Sequence, residues 1–138
     1  MIASFAIDTN IAVYALSDGP KCDIAFVVLE GGPLISVQLL NEFTNVNLRK
    51  RKLPWGEIEE ALTIIQSLAA NARAVDTEVH RIGCDIARRY RLNFHDALIA
   101  AAALLDDCDI LYSEDMQHGL IIDDRLTIIN PFLSMEAS

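Results

Sequence analysis

At 138 residues, 52% hydrophobic and 22% charged, the chain has the size and make-up of one domain, residues 1–138, with one substantial core. It has no internal repeat, no low-complexity tract and no apolar run long enough to span a bilayer, and an acid at position 8 comes too early for a signal peptide, so no membrane and a cytoplasmic location are expected. A net charge of −9 argues against general attraction to nucleic acid, although most of the 11 basic residues fall in two clusters, Arg49-Lys50-Arg51-Lys52 and Arg88, Arg89, Arg91.

In chain order, residues 3–7 predict a strand leading into Asp8, and residues 10–17, NIAVYALS, a helix that ends at the turn Ser17-Asp18-Gly19-Pro20. A helix over roughly 21–30 stops at Gly31-Gly32, where glycine can take a left-handed cap. Pro33 opens the short strand LIS, and Ser36 caps a helix, VQLLNEFTNVNLRKRK, that stops before Pro54. Pro54 suits the first turn of another helix, through about Ala70. ARAVD is a strand, Thr77 caps a helix to about Tyr90, and Asn93 starts an alanine-rich helix to about Asp107. DILYS and LTIIN are the last two strands. Cys22, Cys84 and Cys108 are widely spaced and form no CxxC pair, so they read as small buried hydrophobes and not as a disulfide or zinc framework.

Most of these strands are apolar throughout instead of alternating. Such strands are covered on both faces, as in a parallel sheet within a three-layer α/β domain, where ligands bind beyond the carboxyl ends of the strands. Asp8 follows the first strand, Glu42 lies two turns into the helix after the second, and Asp115 follows the fourth, so the three converge on one edge. Asp96 reaches that edge only if its helix crosses the sheet obliquely.

Each acid has an ordinary structural role. Asp8 can cap a helix, Asn93-x-x-Asp96 resembles a capping box, Asp115 suits a turn before Gly119, and Glu42 suits a solvated helix face. Together they pose a charge problem. Two carboxylates ~5 Å apart repel by about 3 kcal/mol at an effective dielectric near 20. Four need a cation or raised pKa values. An all-oxygen cluster without Cys suits Mg²⁺ or Mn²⁺. His95 adjoins Asp96 but does not share its helix face, and reads as structural or rim. Trp55 and the tyrosines read as core or interface.

The segments IDTNIAVYAL (7–16), QLLNEF (38–43), HDALIAAAAL (95–104) and LYSEDMQHG (111–119) resemble the PIN-domain nucleases, most closely the VapC-type toxins of toxin–antitoxin pairs. The resemblance implies a parallel sheet of about five strands in the order 3-2-1-4-5, flanked by helices, and gathers Asp96 with the other acids. It makes Asp8, Glu42, Asp96 and Asp115 the catalytic carboxylates. Asp8, Asp96 and Asp115 would hold Mg²⁺ or Mn²⁺, and Glu42 would orient or activate water. Thr9, Asn10 and Ser113 match the supporting polar positions, and Glu114 is an extra acid beside Asp115. The activity implied is a metal-dependent endoribonuclease acting on RNA, the toxin of a type II pair, with Arg49, Lys50, Arg51 and Lys52 guiding the RNA. The partners implied are a cognate antitoxin and a second copy in a homodimer. A stand-alone RNA-processing nuclease is the first alternative. A receiver-like signalling domain is the second, but only Asp8 follows the first strand and no lysine occurs after Lys52.

Overall fold

Short apolar segments that cannot leave either face in water form the centre of the molecule. In the computed structural model, which describes residues 4–136, six strands make one sheet: β1 (Phe5–Ile7), β2 (Leu34–Ser36), β3 (Asn71–Arg73), β4 (Ile110–Tyr112), β5 (Ile121–Ile122) and β6 (Leu126–Ile129). Their order is β3-β2-β1-β4-β6-β5, and every neighbouring pair is parallel except β5 with β6. The five parallel strands follow the expected order. Residue 3, the expected start of the first strand, lies outside the described residues.

Among the described residues, seven helices surround the sheet: α1 (Thr9–Ala15), α2 (Cys22–Glu30), α3 (Val37–Arg49), α4 (Trp55–Leu68), α5 (Thr77–Tyr90), α6 (Phe94–Leu105) and the short α7 (Leu133–Glu136). Two apolar clusters occupy the two faces. Ala6, Leu111 and Ile128 pack with α5 and α6, while Ile7 and Ile35 pack with Ile11, Leu29, Leu39, Phe43 and Ile65 from α1 to α4. Each fully buried aliphatic or aromatic side chain contributes about 1.5–3 kcal/mol relative to exposure. No helix among the described residues is long and apolar enough to cross a membrane.

Several local expectations are corrected. The sheet has a sixth strand, because residues 121–126 form a hairpin. Asp123 and Asp124 both take positive φ (53° and 57°), and Arg125 N–H donates to the Ile122 carbonyl at 3.1 Å, a tight turn within the three-residue loop that pairs Ile122 with Leu126. Asp76, and not Thr77, caps α5 by accepting from Val79 N–H at 2.9 Å. β3 begins one residue and ends three residues earlier than the expected ARAVD, and it is largely exposed at the edge of the sheet. Helix α3 stops at Arg49, so Lys50-Arg51-Lys52 lie in a loop where Lys52 takes φ 53°. Of the cysteines, Cys108 is buried, Cys22 is intermediate and Cys84 is exposed.

Helix α6 settles how Asp96 is placed. Residues Ala97–Leu104 are all buried. The helix packs on both β2 and β6, with β1 and β4 between them, so it crosses the strands instead of running along one. Helix α5 lies against its outer side. Gly83 makes that approach possible, since a Cβ there would sit 2.8 Å from Leu98 Cδ2.

Candidate active site

At the carboxyl edge of the sheet, a cavity of about 300 Å³ is lined by Asp8, Glu42, Asp96 and Asp115, together with Thr9, Asn10 and Lys50. Four elements supply the acids. Asp8 closes β1, and its backbone N–H donates to the Tyr112 carbonyl at 2.9 Å, extending the β1–β4 ladder. It is also the N-cap of α1. Its Oδ1 accepts from Thr9 N–H at 2.7 Å and its Oδ2 from the Ser113 hydroxyl at 2.7 Å. Ser113 Oγ in turn accepts from Met116 N–H at 3.1 Å, which fixes the hydroxyl's aim.

Asp8 is only 2% exposed. Burial pushes its pKa up to about 7; the charges of Asp96 and Asp115 push the same way, and the bonds from Ser113 and Thr9 only partly offset them. Asp96, in the first turn of α6, is raised too, by burial first and then by Asp115 and Glu42, with His95 opposing. Asn93 accepts from His95 N–H at 2.8 Å, but the Asp96 carboxylate makes no hydrogen bond among the described residues, so the capping box is only half formed. That leaves Asp96, and likewise the exposed Asp115, with free oxygens at the cavity.

Glu42 is oriented from two sides. Thr9 Oγ1 donates to its Oε2 at 2.8 Å and Gln38 Nε2 to its Oε1 at 3.1 Å. Gln38 stands four residues earlier on α3, a spacing readable from the sequence. His95 Nδ1 lies 3.5 Å from the same Oε1 and 2.9 Å from Gln38 Nε2, and its ring is exposed. Asn10 Oδ1 accepts from Glu114 N–H at 3.4 Å, while its Nδ2 is buried without a partner.

Glu114 is turned away from the cavity. Its carboxylate accepts from the Tyr14 hydroxyl at 2.5 Å and pairs with Lys21. Partial burial disfavours its charge, but these two donors outweigh burial and hold its pKa below the usual range. Lys21 also lies over the rings of Tyr14 and Phe132, at 5.0 and 5.3 Å from their centroids. Nothing local in the sequence signals Lys21, which meets Glu114 only through the fold.

The basic clusters separate. Lys50 reaches the acid cavity, Arg51 donates to Asn47 Oδ1 at 2.8 Å, and Arg49 and Lys52 are exposed. Arg88 and Arg89 pair with Asp85, and Arg89 also with Asp123 at 2.6 Å. Of the histidine and tryptophan side chains, His118 accepts from Asn130 N–H at 3.0 Å, and Trp55 is exposed.

Sheet order, crossing helix and acid-lined edge define an α/β domain whose reactive groups gather at the carboxyl ends of parallel strands. The PIN domain family model matches residues 5–119, and the chain belongs to that family. No curated protein sequence matches it significantly. Among solved structures, it is similar to a toxin–antitoxin complex from Klebsiella pneumoniae, with 20% identity and a TM-score of 0.69, covering 94% of this chain and 98% of that one. It is similar to VapC20 of Mycobacterium tuberculosis, a sarcin–ricin loop cleaving toxin, at 16% identity and TM-score 0.67, over 81% and 92% of the two chains. VapBC2 from Rickettsia felis, solved with a promoter DNA fragment, matches at 19% identity and TM-score 0.65, over 91% and 98%.

Proposed function

We propose that the protein is a divalent-metal-dependent endoribonuclease and the toxin of a type II toxin–antitoxin pair. The observation that carries the reading is the meeting of four carboxylates at one cavity, with Asp8 buried and its pKa pushed up to about 7. Family membership and the toxin–antitoxin structures that share the fold support it.

The donor set fits a hard cation. It offers only oxygens, and burial first, then the neighbouring acids, raises Asp8 and Asp96, both effects that a bound cation would offset. Among the described residues, no three Asp, Glu, His or Cys side chains stand close enough to enclose an ion by themselves. Mg²⁺ or Mn²⁺ keeps several waters, so one or two carboxylates would bind it directly and the others would reach it through water. Asp8, Asp96 and Asp115 would hold it. When bound, the cation neutralises the acids, screens the phosphodiester and makes water more acidic.

The chain's own residues do the rest. Ser113 and the Thr9 amide fix Asp8, so its carboxylate keeps one geometry as charge changes around it. Thr9 and Gln38 hold Glu42 in position to orient a water and take its proton. Lys50 offers a cation at the rim for the phosphate. Water adds to phosphorus as Glu42 takes its proton, the P–O bond to the leaving nucleoside oxygen breaks, that oxygen takes up a proton from solvent, and two RNA ends result.

Purified protein incubated with RNA and Mg²⁺ tests the reading. Cleavage should vanish in excess EDTA and fall at least a hundredfold in Asp8→Asn and Asp96→Asn. Undiminished activity in either condition overturns the mechanism. The toxin half is tested apart from it: co-expression with the product of an adjacent reading frame should yield an inactive complex built on a homodimer of this chain. An active enzyme that the product neither binds nor inhibits would be a stand-alone nuclease.

A further inference from the structure

A second, larger concavity opens beside the acids. It has a volume of about 520 Å³ and shares Glu42, Val46 and Lys50 with the acid cavity, so the two adjoin along those side chains. Its remaining walls are Gln38, Asn41 and Asn45 of α3 and His95 of α6. Positions 38, 41, 42, 45 and 46 form one face of α3, opposite the buried stripe Leu39, Phe43 and Asn47.

The chemistry of this face is unusual for a surface helix in a chain with 20 acids. Glu42 is its only acid, and it is tied to Thr9 and Gln38. The other polar groups are neutral amides. Asn41 and Asn45 are exposed and make no hydrogen bond among the described residues. The Gln38 amide props the His95 ring at 2.9 Å, leaving the ring exposed at the groove wall. Neutral amides that both donate and accept match the polar edge of a nucleobase, and an exposed ring matches its flat face. Lys50 stands where the two concavities join, within reach of a phosphate between them.

We propose that this groove is the subsite for an unpaired RNA base next to the scissile phosphodiester. His95 stacks on the base, Asn41 and Asn45 read its edge, and Lys50 holds the adjoining phosphate. The proposal rests on the ribonuclease reading and adds to it the residues that read the base beside the cleaved bond.

The test uses the full wild-type chain in Ca²⁺, a hard cation that can occupy an all-oxygen site while slowing turnover. Fluorescence anisotropy gives its affinity for labelled heptanucleotides rich in A, C, G or U, single-stranded and in duplex. The parent should prefer single strands and rank the four bases. Adding Asn41→Ala with Asn45→Ala should weaken binding of the preferred oligonucleotide roughly tenfold and level the ranking. Adding His95→Ala should weaken all four. Both asparagines are exposed, and matching thermal melts show that the fold is intact. A ranking unchanged by the double substitution overturns the subsite, as does a parent that binds all four equally or favours duplex. In those cases, uniform weakening by Lys50→Ala shows that the ribonuclease reading survives alone. A parent that binds no RNA removes both.

Discussion

Asp8 carries two opposed demands. It must cap α1 and accept from Ser113 inside the core edge, and it must stay ionisable where Asp96 and Asp115 repel its charge. In the folded chain it keeps its proton to about pH 7, against an ordinary value of 3.8. Between those values the folded state binds more protons than the unfolded one, so stability falls as pH rises from about 4 to 7. With metal chelated, the loss should be on the order of 2–4 kcal/mol. Asp8→Asn removes the titration. Urea melts in EDTA should therefore show a flatter pH profile for the variant, and a variant more stable than wild type at pH 8. A wild-type profile that is level or rises over that range would mean that Asp8 is ionised and relieved by some other group. That Asp8, Glu42 and Asp115 share one edge was legible because each follows a parallel strand directly or lies in the helix after one, whereas Asp96 joined them only through the resemblance to the PIN-domain family. The engagement of Glu114 was not. Its partners Tyr14 and Lys21 lie 100 and 93 positions away, and no periodicity encodes that distance.

Elements were legible where a period or a cap spoke for them. The parallel strands and long helices carry apolar runs of helical or strand length, and Ser36 caps α3 as expected, accepting from Leu39 N–H at 3.1 Å. The β5–β6 hairpin was missed because a two-residue strand has no period. Its signal lay in Asp123-Asp124 between the apolar pair Ile121-Ile122 and Leu126, a pairing suited to positive φ. The oblique path of α6 was invisible because the sequence shows which residues are buried and not the angle at which a buried helix crosses a sheet. One tie between elements is open to direct measurement. Glu114 joins Tyr14 of α1 and Lys21 before α2 to the loop that carries Ser113 and Asp115. Glu114→Ala should cost about 1–2 kcal/mol in urea unfolding, since the donors are partly solvated. It should also lower kcat by more than it raises KM, because the loop that positions Asp115 gains freedom. Glu114→Asp, which keeps the charge but shortens the reach, should recover part of the stability. An unaltered kcat would confine this tie to folding.

For the whole molecule, charge decides how an acidic protein holds a polyanion. A net charge of −9 repels RNA at long range, so on the ribonuclease proposal attraction must come from places where cations are not already engaged by neighbouring acids. The two clusters differ in this respect. Arg88 and Arg89 are held by Asp85 and Asp123, and neither lines the acid cavity. Lys50 lines both concavities, while Arg49 and Lys52 form no ion pair among the described residues and flank it at the end of α3 and on the loop that follows. Replacing Arg49, Lys50, Arg51 and Lys52 together by Ala should weaken RNA binding and reduce the slope of log affinity against log salt by about 0.7 for each phosphate that is no longer neutralised. The same substitutions at Arg88, Arg89 and Arg91 should leave the slope nearly unchanged while lowering stability, because Asp85 and Asp123 lose their partners. Arg51 is the one member of the first cluster with a structural bond, to Asn47. Arg51→Ala alone should therefore move the melting temperature more than the salt slope. An unchanged slope in the quadruple variant, with a reduced slope in the triple one, would place the RNA backbone on the α5 side and turn the substrate path around.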